Sequence, residues 1–198
     1  AGRWGGGRER GALGGGDLAG ACDLQAALEG GKGYLGNGAD GERYADLHAH
    51  GGDAWYETVV GPVPGVTDER VAVRVRQEGG VHDGTLHWEA STDAEPLLTH
   101  LLRLDDDLDA ILDATPDLPL LERAYDAYEG MRLTRDPVFP CLVSFICSAQ
   151  MRVARIHGMQ RRPRETYGDA VRPGRETYRA FPTPPPLAAA PAAHPPAP

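Results

Sequence analysis

Hydrophobic and polar residues alternate along one segment near the middle of the chain. Val71, Val73 and Val75 alternate with an alanine and two arginines, and this period of two predicts a half-buried β-strand. The flanking segments AWYETVVG and TLHWEAS have strand composition, and the connections GPVPGVTDE and EGGVHDG contain turn residues. The pattern predicts an antiparallel meander. An earlier segment, CDLQAALEGGKGYLG, predicts a short apolar stretch, a glycine-rich turn and a further strand.

A helical periodicity replaces the alternation after residue 91. Thr92 or Asp93 is predicted to cap a helix with a proline in its first turn and leucines at helical spacing, namely Leu97, Leu98, Leu101 and Leu102. Residues 105–107 are predicted to open a second short helix, and a third spans residues 117–130. The run DDDLD lacks the glycine and the distal glutamate of a calcium loop, so helix capping is the favoured interpretation.

Two more helices are predicted in the second half of the chain, joined by a tight break at residues 148–150. The first is capped by Asp136 and is apolar nearly all round, so it should be central to a core. The second has one apolar stripe and contains Pro163, which costs about 3 kcal/mol in a helix interior.

Glycine (26 residues) and proline (17) are abundant, and much of the excess lies at the two ends. Residues 1–21 are so rich in glycine that ordering them would cost too much entropy, so we expect a disordered segment. Residues 182–198 are predicted to be a disordered, polyproline-like Pro/Ala tail. The intervening part is predicted to be α+β, with an N-terminal antiparallel sheet domain with helices over 22–115 and a helical domain over 116–181.

Apolar runs and cysteines restrict the class of protein. No apolar run approaches the roughly 18 residues that span a bilayer, and no secretory signal segment is visible, so we expect neither a membrane protein nor a secreted one. The three cysteines, Cys22, Cys141 and Cys147, form no CxxC pair and are interpreted as small buried apolar residues. A reducing compartment, and therefore a cytoplasmic location, is expected.

One alternative site would bind a metal. His48, His50 and Asp53 resemble an HxH metal motif, because alternate residues of a strand point to the same side. Two glycines follow, which is more typical of a loop. A metal-dependent hydrolase built on this segment is the weakest of the function hypotheses, and no cofactor is expected.

Charge is distributed unevenly along the chain, whose formal net charge is −9 with a single lysine, Lys32. Residues 152–179 have a local net charge of +5, because eight arginines accompany only three acids. Arginines that neutralise phosphates are the usual basis of nucleic-acid affinity. The alternative is a solvated helix face in a chain whose arginine preference and acidic balance reflect a GC-rich, high-salt habitat.

The segment DPVFPCLVSFICSAQMRVARIHGMQ, at 136–160, resembles the 8-oxoguanine DNA glycosylase/AP lyase family of the helix-hairpin-helix superfamily, with a haloarchaeal character. In that family a DP-x-(E/F)-CL-x-SFICS segment leads through a polar turn into an x-ARI-x-GM helix. GMRL at 130–133 and TYRAFPTP at 177–184 add to the resemblance, which covers roughly residues 22–187. It implies that 116–181 contains the first helices of an all-α helix-hairpin-helix glycosylase domain.

The resemblance also implies a mechanism and site residues. A damaged purine is flipped out of the duplex, its glycosidic bond is broken, and a lysine Schiff base can cleave the strand at the abasic site. By position, Gln150 would fill the vacated space, Met151 and Arg152 would flank it, and Arg155 would hydrogen-bond the estranged cytosine. Gly31 matches the glycine whose carbonyl reads the N7 hydrogen of 8-oxoguanine.

The family's LPGVGxKxAD-like segment, with the catalytic lysine, and its later catalytic aspartate do not occur in this chain. We therefore assign no catalytic residue here, and we expect a truncated or frame-shifted product without glycosylase or lyase activity of its own. The alternative is a non-catalytic DNA-binding remnant of the same fold. The two differ in whether the native gene continues into that segment, which translation beyond residue 181 in three frames would reveal. The expected partner is duplex DNA with an oxidised guanine or an abasic site, bound by a monomer that associates with the nucleoid.

Overall fold

The computed structural model describes residues 14–19, 22, 24, 27, 55–149, 153–172 and 177–191, with Ala19, Glu57 and residues 153–158 described by their backbone only. In these residues a four-stranded antiparallel sheet is followed by helices and a short hairpin. The α+β prediction is confirmed. None of the described helices combines the length and apolar character needed to span a bilayer.

The sheet contains β1 (Gly14–Ala19), β2 (Tyr56–Val60), β3 (Val71–Glu78) and β4 (Thr85–Ala90), in the order β1-β4-β3-β2. All neighbouring pairs are antiparallel, so the meander predicted for β2 to β4 is confirmed. The alternating valines of β3 point into the main core, as their period of two requires.

β1 corrects the prediction that residues 1–21 are disordered, which is wrong for residues 14–19. Gly14 to Ala19 pair with Ala90 to Thr85, and the side chain of Leu18 enters the core. A Cβ at Gly14 would lie 2.5 Å from the carbonyl oxygen of Thr92, so glycine permits this close approach. Backbone pairing with β4 supplies hydrogen bonds that composition alone does not reveal.

Helix α1 (Glu95–Leu102) covers one face of the sheet with the four predicted leucines, all of them buried. Its N-cap is Ala94 rather than Thr92 or Asp93, although the Asp93 carboxylate accepts a hydrogen bond from the backbone N–H of Glu95 (3.1 Å). The residue after the helix, Arg103, is its C-cap and adopts a left-handed conformation with φ of 54°.

Three helices follow α1, namely α2 (Leu108–Asp113), α3 (Pro119–Ala127) and α4 (Val138–Cys147). The capping interpretation of the aspartate run is confirmed at Asp107, whose side chain accepts a hydrogen bond from the backbone N–H of Ala110 (3.0 Å). None of the three helices has a buried residue.

Helix α4 is therefore exposed, and the expectation that it is central to a core is wrong. Val138 and Phe145 are 83% and 76% exposed, and α4 contacts α5 and, through Phe139, the ring of Phe181. Apolar composition shows that a helix would gain from burial, but another element must be present to cover it. One face of the sheet is already covered by α1, and part of the other face is covered by residues 178–180.

Helix α5 (Val153–Tyr167) leads into a hairpin of β5 (Ala170–Val171) and β6 (Tyr178–Arg179) and then into α6 (Pro184–Ala188). The helix continues through Pro163. The hairpin packs on the second sheet face, where a small cluster contains Val59, Ala72, Tyr178 and Ala180.

The disordered tail predicted for residues 182–198 is also wrong at its start. Pro182 is fully buried, and Pro184–Ala188 form a helical turn that contacts α5. Prolines at the start of α6 occupy positions whose N–H groups have no helical partner, so they are compatible with a helix there.

The cysteines only partly match their prediction. Cys22 is buried, but Cys141 is exposed and Cys147 is half-buried, because both belong to the uncovered helix α4.

Gly168 allows the hairpin to approach the end of α5. A Cβ there would lie 2.1 Å from the carbonyl oxygen of Ala180 and 2.3 Å from that of Arg164. Because both neighbours are backbone atoms, we expect Gly168→Ala to lower the free energy of unfolding by about 1–3 kcal/mol, measured by urea denaturation. Gly61→Ala is the matched control, since a Cβ there meets nothing within 4 Å. Equal losses for the two variants would contradict this packing argument.

Candidate functional site

The corner between α4 and α5 is the region where the sequence places its candidate binding residues. Helix α4 ends at Cys147, and both the backbone N–H (3.1 Å) and the hydroxyl (2.7 Å) of Ser148 donate to the carbonyl of Phe145. Ala149 is exposed and the chain is helical again from Val153. The predicted break between two helices is confirmed, and its described residues are at the surface.

Most of the predicted site residues are not among those that the structure describes. Gln150, Met151 and Arg152 lie outside the described residues, as does Gly31. The backbone of Arg155 is described and belongs to the first turn of α5, immediately after the corner. The structure therefore gives the backbone position of Arg155 and leaves the assigned roles as predictions.

The arginines of residues 152–179 do not form one uniform surface. Arg162, Arg172 and Arg179 are exposed, whereas Arg164 is buried, with 7% of its surface accessible. Arg179 donates to the carbonyl of Gly168 (2.9 Å), and Arg161 lies 3.8 Å from the carboxylate of Glu165. Part of the local positive charge is thus available to a ligand, and part of it supports the junction of α5 with the hairpin.

A second group of charged residues was not predicted from the sequence, and we call it the arginine clamp: Arg103, Asp105, Asp106, Arg132 and Arg135. Arg135 donates to both oxygens of Asp105 (2.8 and 3.0 Å) and to one oxygen of Asp106 (2.8 Å). Arg103 donates to the other oxygen of Asp106 (2.5 Å). The aspartate run and the arginines of MRLTRDP are visible in the sequence, but nothing local indicates that they meet.

Buried Arg132 completes the clamp from the inside. Its guanidinium donates to the carbonyl oxygens of Arg103 and of Asp106, the latter at 3.1 Å. The backbone N–H of Arg135 donates to the carbonyl of Leu101 (2.8 Å). The segment before α4 is therefore joined to the end of α1 by hydrogen bonds from both backbone and side chains.

The clamp changes the acidity of one of its members. Hydrogen bonds from the Arg135 guanidinium lower the pKa of Asp105 below its usual value. Because this pKa is lowered in the folded chain, the contribution to stability is present above the unfolded-state pKa of about 3.9. It is lost as the pH falls through the lower folded-state pKa.

We expect Arg135→Gln to raise the pKa of Asp105 toward that unfolded-state value, because the neutral amide no longer favours the carboxylate. A pH titration of the side-chain carboxyl by ¹³C NMR measures the change. Arg123→Gln, on the exposed surface of α3, removes the same charge outside the clamp and should leave the pKa of Asp105 unchanged. An unchanged Asp105 pKa in Arg135→Gln would contradict the role of this pair.

An open cavity of about 670 Å³ lies beside the clamp, between α2 and the end of α3. Its lining is mainly apolar and includes Ile111, Leu112, Tyr125 and Tyr128, all of them partly exposed. The cavity shows that α2 and α3 leave an uncovered apolar surface between them.

The alternative metal site lies outside the description, because His48, His50 and Asp53 are not among the described residues. Within the ranges that are described, no group of three His, Cys, Asp or Glu side chains is arranged to hold a metal ion.

Comparison with known proteins gives structural matches only. Neither a protein-family model nor a curated protein matches this chain. The structure of MBOgg1 in complex with a low-affinity DNA ligand is 22% identical, with a TM-score of 0.66 over 91% of this chain and 55% of that chain. The 8-oxoguanine glycosylase/lyase of Clostridium acetobutylicum was solved with double-stranded DNA containing cytosine opposite 8-oxoG and in its apo form. Both structures are 23% identical to this chain, with TM-scores of 0.53 over 66% of it and 41% and 42% of theirs.

These matches confirm the predicted resemblance at the level of the fold. The chain has the α+β fold of the solved 8-oxoguanine glycosylase structures, and it spans about half the length of the MBOgg1 chain.

Proposed function

We propose that this chain is the sheet domain and first helices of an 8-oxoguanine DNA glycosylase/AP lyase, and that it binds damaged duplex DNA through the corner between α4 and α5. The observation that carries the proposal is the helix break at this corner, where Ala149 is exposed, together with the SFICS and ARI-x-GM segments on its two helices. The shared fold supports it.

The corner suits the physical task of probing a gap in DNA. When a base leaves the stack, the space must be filled and the orphaned partner base must be held. We assign Gln150 to the space, Met151 and Arg152 to its edges, and Arg155 to the estranged cytosine. A guanidinium presents parallel N–H donors that suit the O2 and N3 acceptors of cytosine. Gly31 is assigned to recognition of the oxidised purine.

Accessible arginines at the end of α5 and in the hairpin add a general attraction for phosphate. Arg162, Arg172 and Arg179 are exposed in a chain that is acidic overall, and their charges attract phosphate. We propose a soluble, cytoplasmic protein that is monomeric and associates with the nucleoid when bound to DNA.

We assign catalysis to no residue of this sequence. Its only lysine, Lys32, is not in an LPGVGxKxAD-like context. A Schiff-base lyase needs an amine at the sugar C1′ position, so we expect this chain alone to lack base excision and strand cleavage. The alternative function is a non-catalytic module that binds damaged DNA with the same fold.

Binding and cleavage assays on one set of duplexes test the proposal. We expect the 198-residue chain to bind a duplex with an abasic-site analogue opposite cytosine more tightly than the undamaged duplex, measured by fluorescence anisotropy. With 8-oxoguanine duplexes, no released base and no borohydride-trapped adduct should be detected. Equal affinity for damaged and undamaged DNA would contradict the binding proposal, and base excision would contradict the expectation that this chain alone is inactive.

A further inference from the structure

The arginine clamp lies at the opposite end of α4 from the corner proposed to contact DNA. Arg135 is three residues before the first residue of α4. Its backbone forms a hydrogen bond with the end of α1, and its side chain forms hydrogen bonds with the loop that follows α1. Asp106 accepts hydrogen bonds from Arg103 and Arg135 at the same time, and 18% of its side-chain surface is accessible. The clamp thus joins the helical part to the sheet layer at the base of α4.

Helix α4 is not anchored by buried side chains. No residue of this helix is buried, so a hydrophobic core does not hold it in place. It contacts α5 and, through Phe139, the ring of Phe181. Under these conditions, the polar contacts at its base have a large share in determining its orientation.

A small tilt at the base of α4 displaces the far end of the helix. At 1.5 Å per residue, the ten residues of α4 separate the clamp from the corner by about 15 Å. A tilt of about 10° at the base therefore displaces the corner by roughly 2–3 Å. Errors of about 1 Å in the placement of a functional group can cost two orders of magnitude in a reaction, so selective contacts to a gap are sensitive to such a shift.

We propose that the arginine clamp is a positioning device for the DNA-binding corner. Arg135 holds Asp105 and Asp106, this sets the direction of α4, and the direction of α4 sets where the far end of the helix meets the duplex. This inference rests on the proposed function. Arg135 is a positioning residue, because it acts through α4 and does not touch DNA.

This role predicts a particular pattern of binding changes. A residue that contacts phosphate contributes about 0.9 to the slope of log K against log salt concentration. Removing a positioning residue should leave that slope unchanged and reduce only the preference for the abasic site opposite cytosine. We expect Arg135→Gln to reduce this preference about tenfold relative to undamaged DNA.

The experiment compares the wild type with four variants at several salt concentrations by fluorescence anisotropy. Arg135→Gln breaks the clamp, Arg135→Lys retains the charge but loses the bidentate geometry, and Asp105→Asn removes one acceptor while Asp106 remains. Arg123→Gln is the charge-matched control on exposed α3. Circular dichroism and thermal unfolding establish that each chain is folded. If Arg135→Gln does not fold, Asp105→Asn is used for the same comparison.

Each outcome decides the inference. The positioning role would be supported if Arg135→Gln had a reduced preference for the abasic duplex and an unchanged salt slope. Arg135→Lys should then have an intermediate preference for that duplex. A preference equal to that of the wild type in a folded variant would overturn it, as would a slope reduced by about one, which identifies a phosphate contact. If the wild-type chain itself does not prefer the abasic duplex, the proposed function is contradicted instead, and the two failures are thereby distinguished.

Discussion

Arg132→Met is expected to lower the free energy of unfolding by about 2–4 kcal/mol. Arg132 is buried, with 6% of its surface accessible, and its guanidinium donates to the carbonyls of Arg103 and Asp106. Methionine retains an apolar stem of similar length, but it leaves both carbonyl groups without this charged donor. Arg103 has a left-handed conformation at the end of α1, and the loop after α1 loses both hydrogen bonds from Arg132.

Urea unfolding followed by circular dichroism measures this change. Arg123→Met is the control, because Arg123 is exposed on α3 and its substitution should change stability by no more than about 0.5 kcal/mol. An Arg132→Met unfolding curve that superimposes on that of the wild type would show that the buried guanidinium contributes nothing net.

Arg155→Ala is expected to weaken binding to an abasic site opposite cytosine by about 1–3 kcal/mol, which corresponds to a 5- to 150-fold increase in Kd. The reason is the loss of the hydrogen-bond donors assigned to the estranged cytosine. Arg155 belongs to the first turn of α5, directly after the corner. The loss should be smaller when another base is opposite the abasic site.

The opposing base is the internal control of this measurement. Anisotropy titrations of wild type and Arg155→Ala against four duplexes, which differ only in the base opposite the abasic site, separate base recognition from general phosphate attraction. A loss of equal size for all four bases would assign Arg155 to the DNA backbone and refute its role in reading cytosine.

Elements governed by local chemistry could be predicted from the sequence. The alternating valines of β3 identified the central strand, the leucine spacing identified α1, and Asp107 was correctly identified among the residues that cap α2. The break after Cys147 was also predicted, because two helical patterns meet there at a polar turn. In each case the determining interactions are between residues close together in the chain.

Elements that depend on distant partners were missed. Gly14–Ala19 have the composition of a disordered segment but form a strand. The edge of β4 is available for pairing, and glycines without side chains can approach it closely. The exposure of α4 was missed for a related reason, since an apolar helix indicates a need for burial without specifying what buries it. Arg135 of the clamp is about 30 positions from its partners Asp105 and Asp106, and no periodicity connects them.

The sequence by itself determined the α+β class, the positions of most helices and strands, and the family resemblance that identifies the corner at residues 148–155. These properties follow from side-chain periodicity, capping and motif spacing, all of which are local. Only the tertiary structure decided that α4 is exposed, that β1 joins the sheet, and that two arginines hold the end of α1. Those features depend on which surfaces meet after the chain has folded, because hydrogen bonds and burial between distant residues exist only in the folded arrangement.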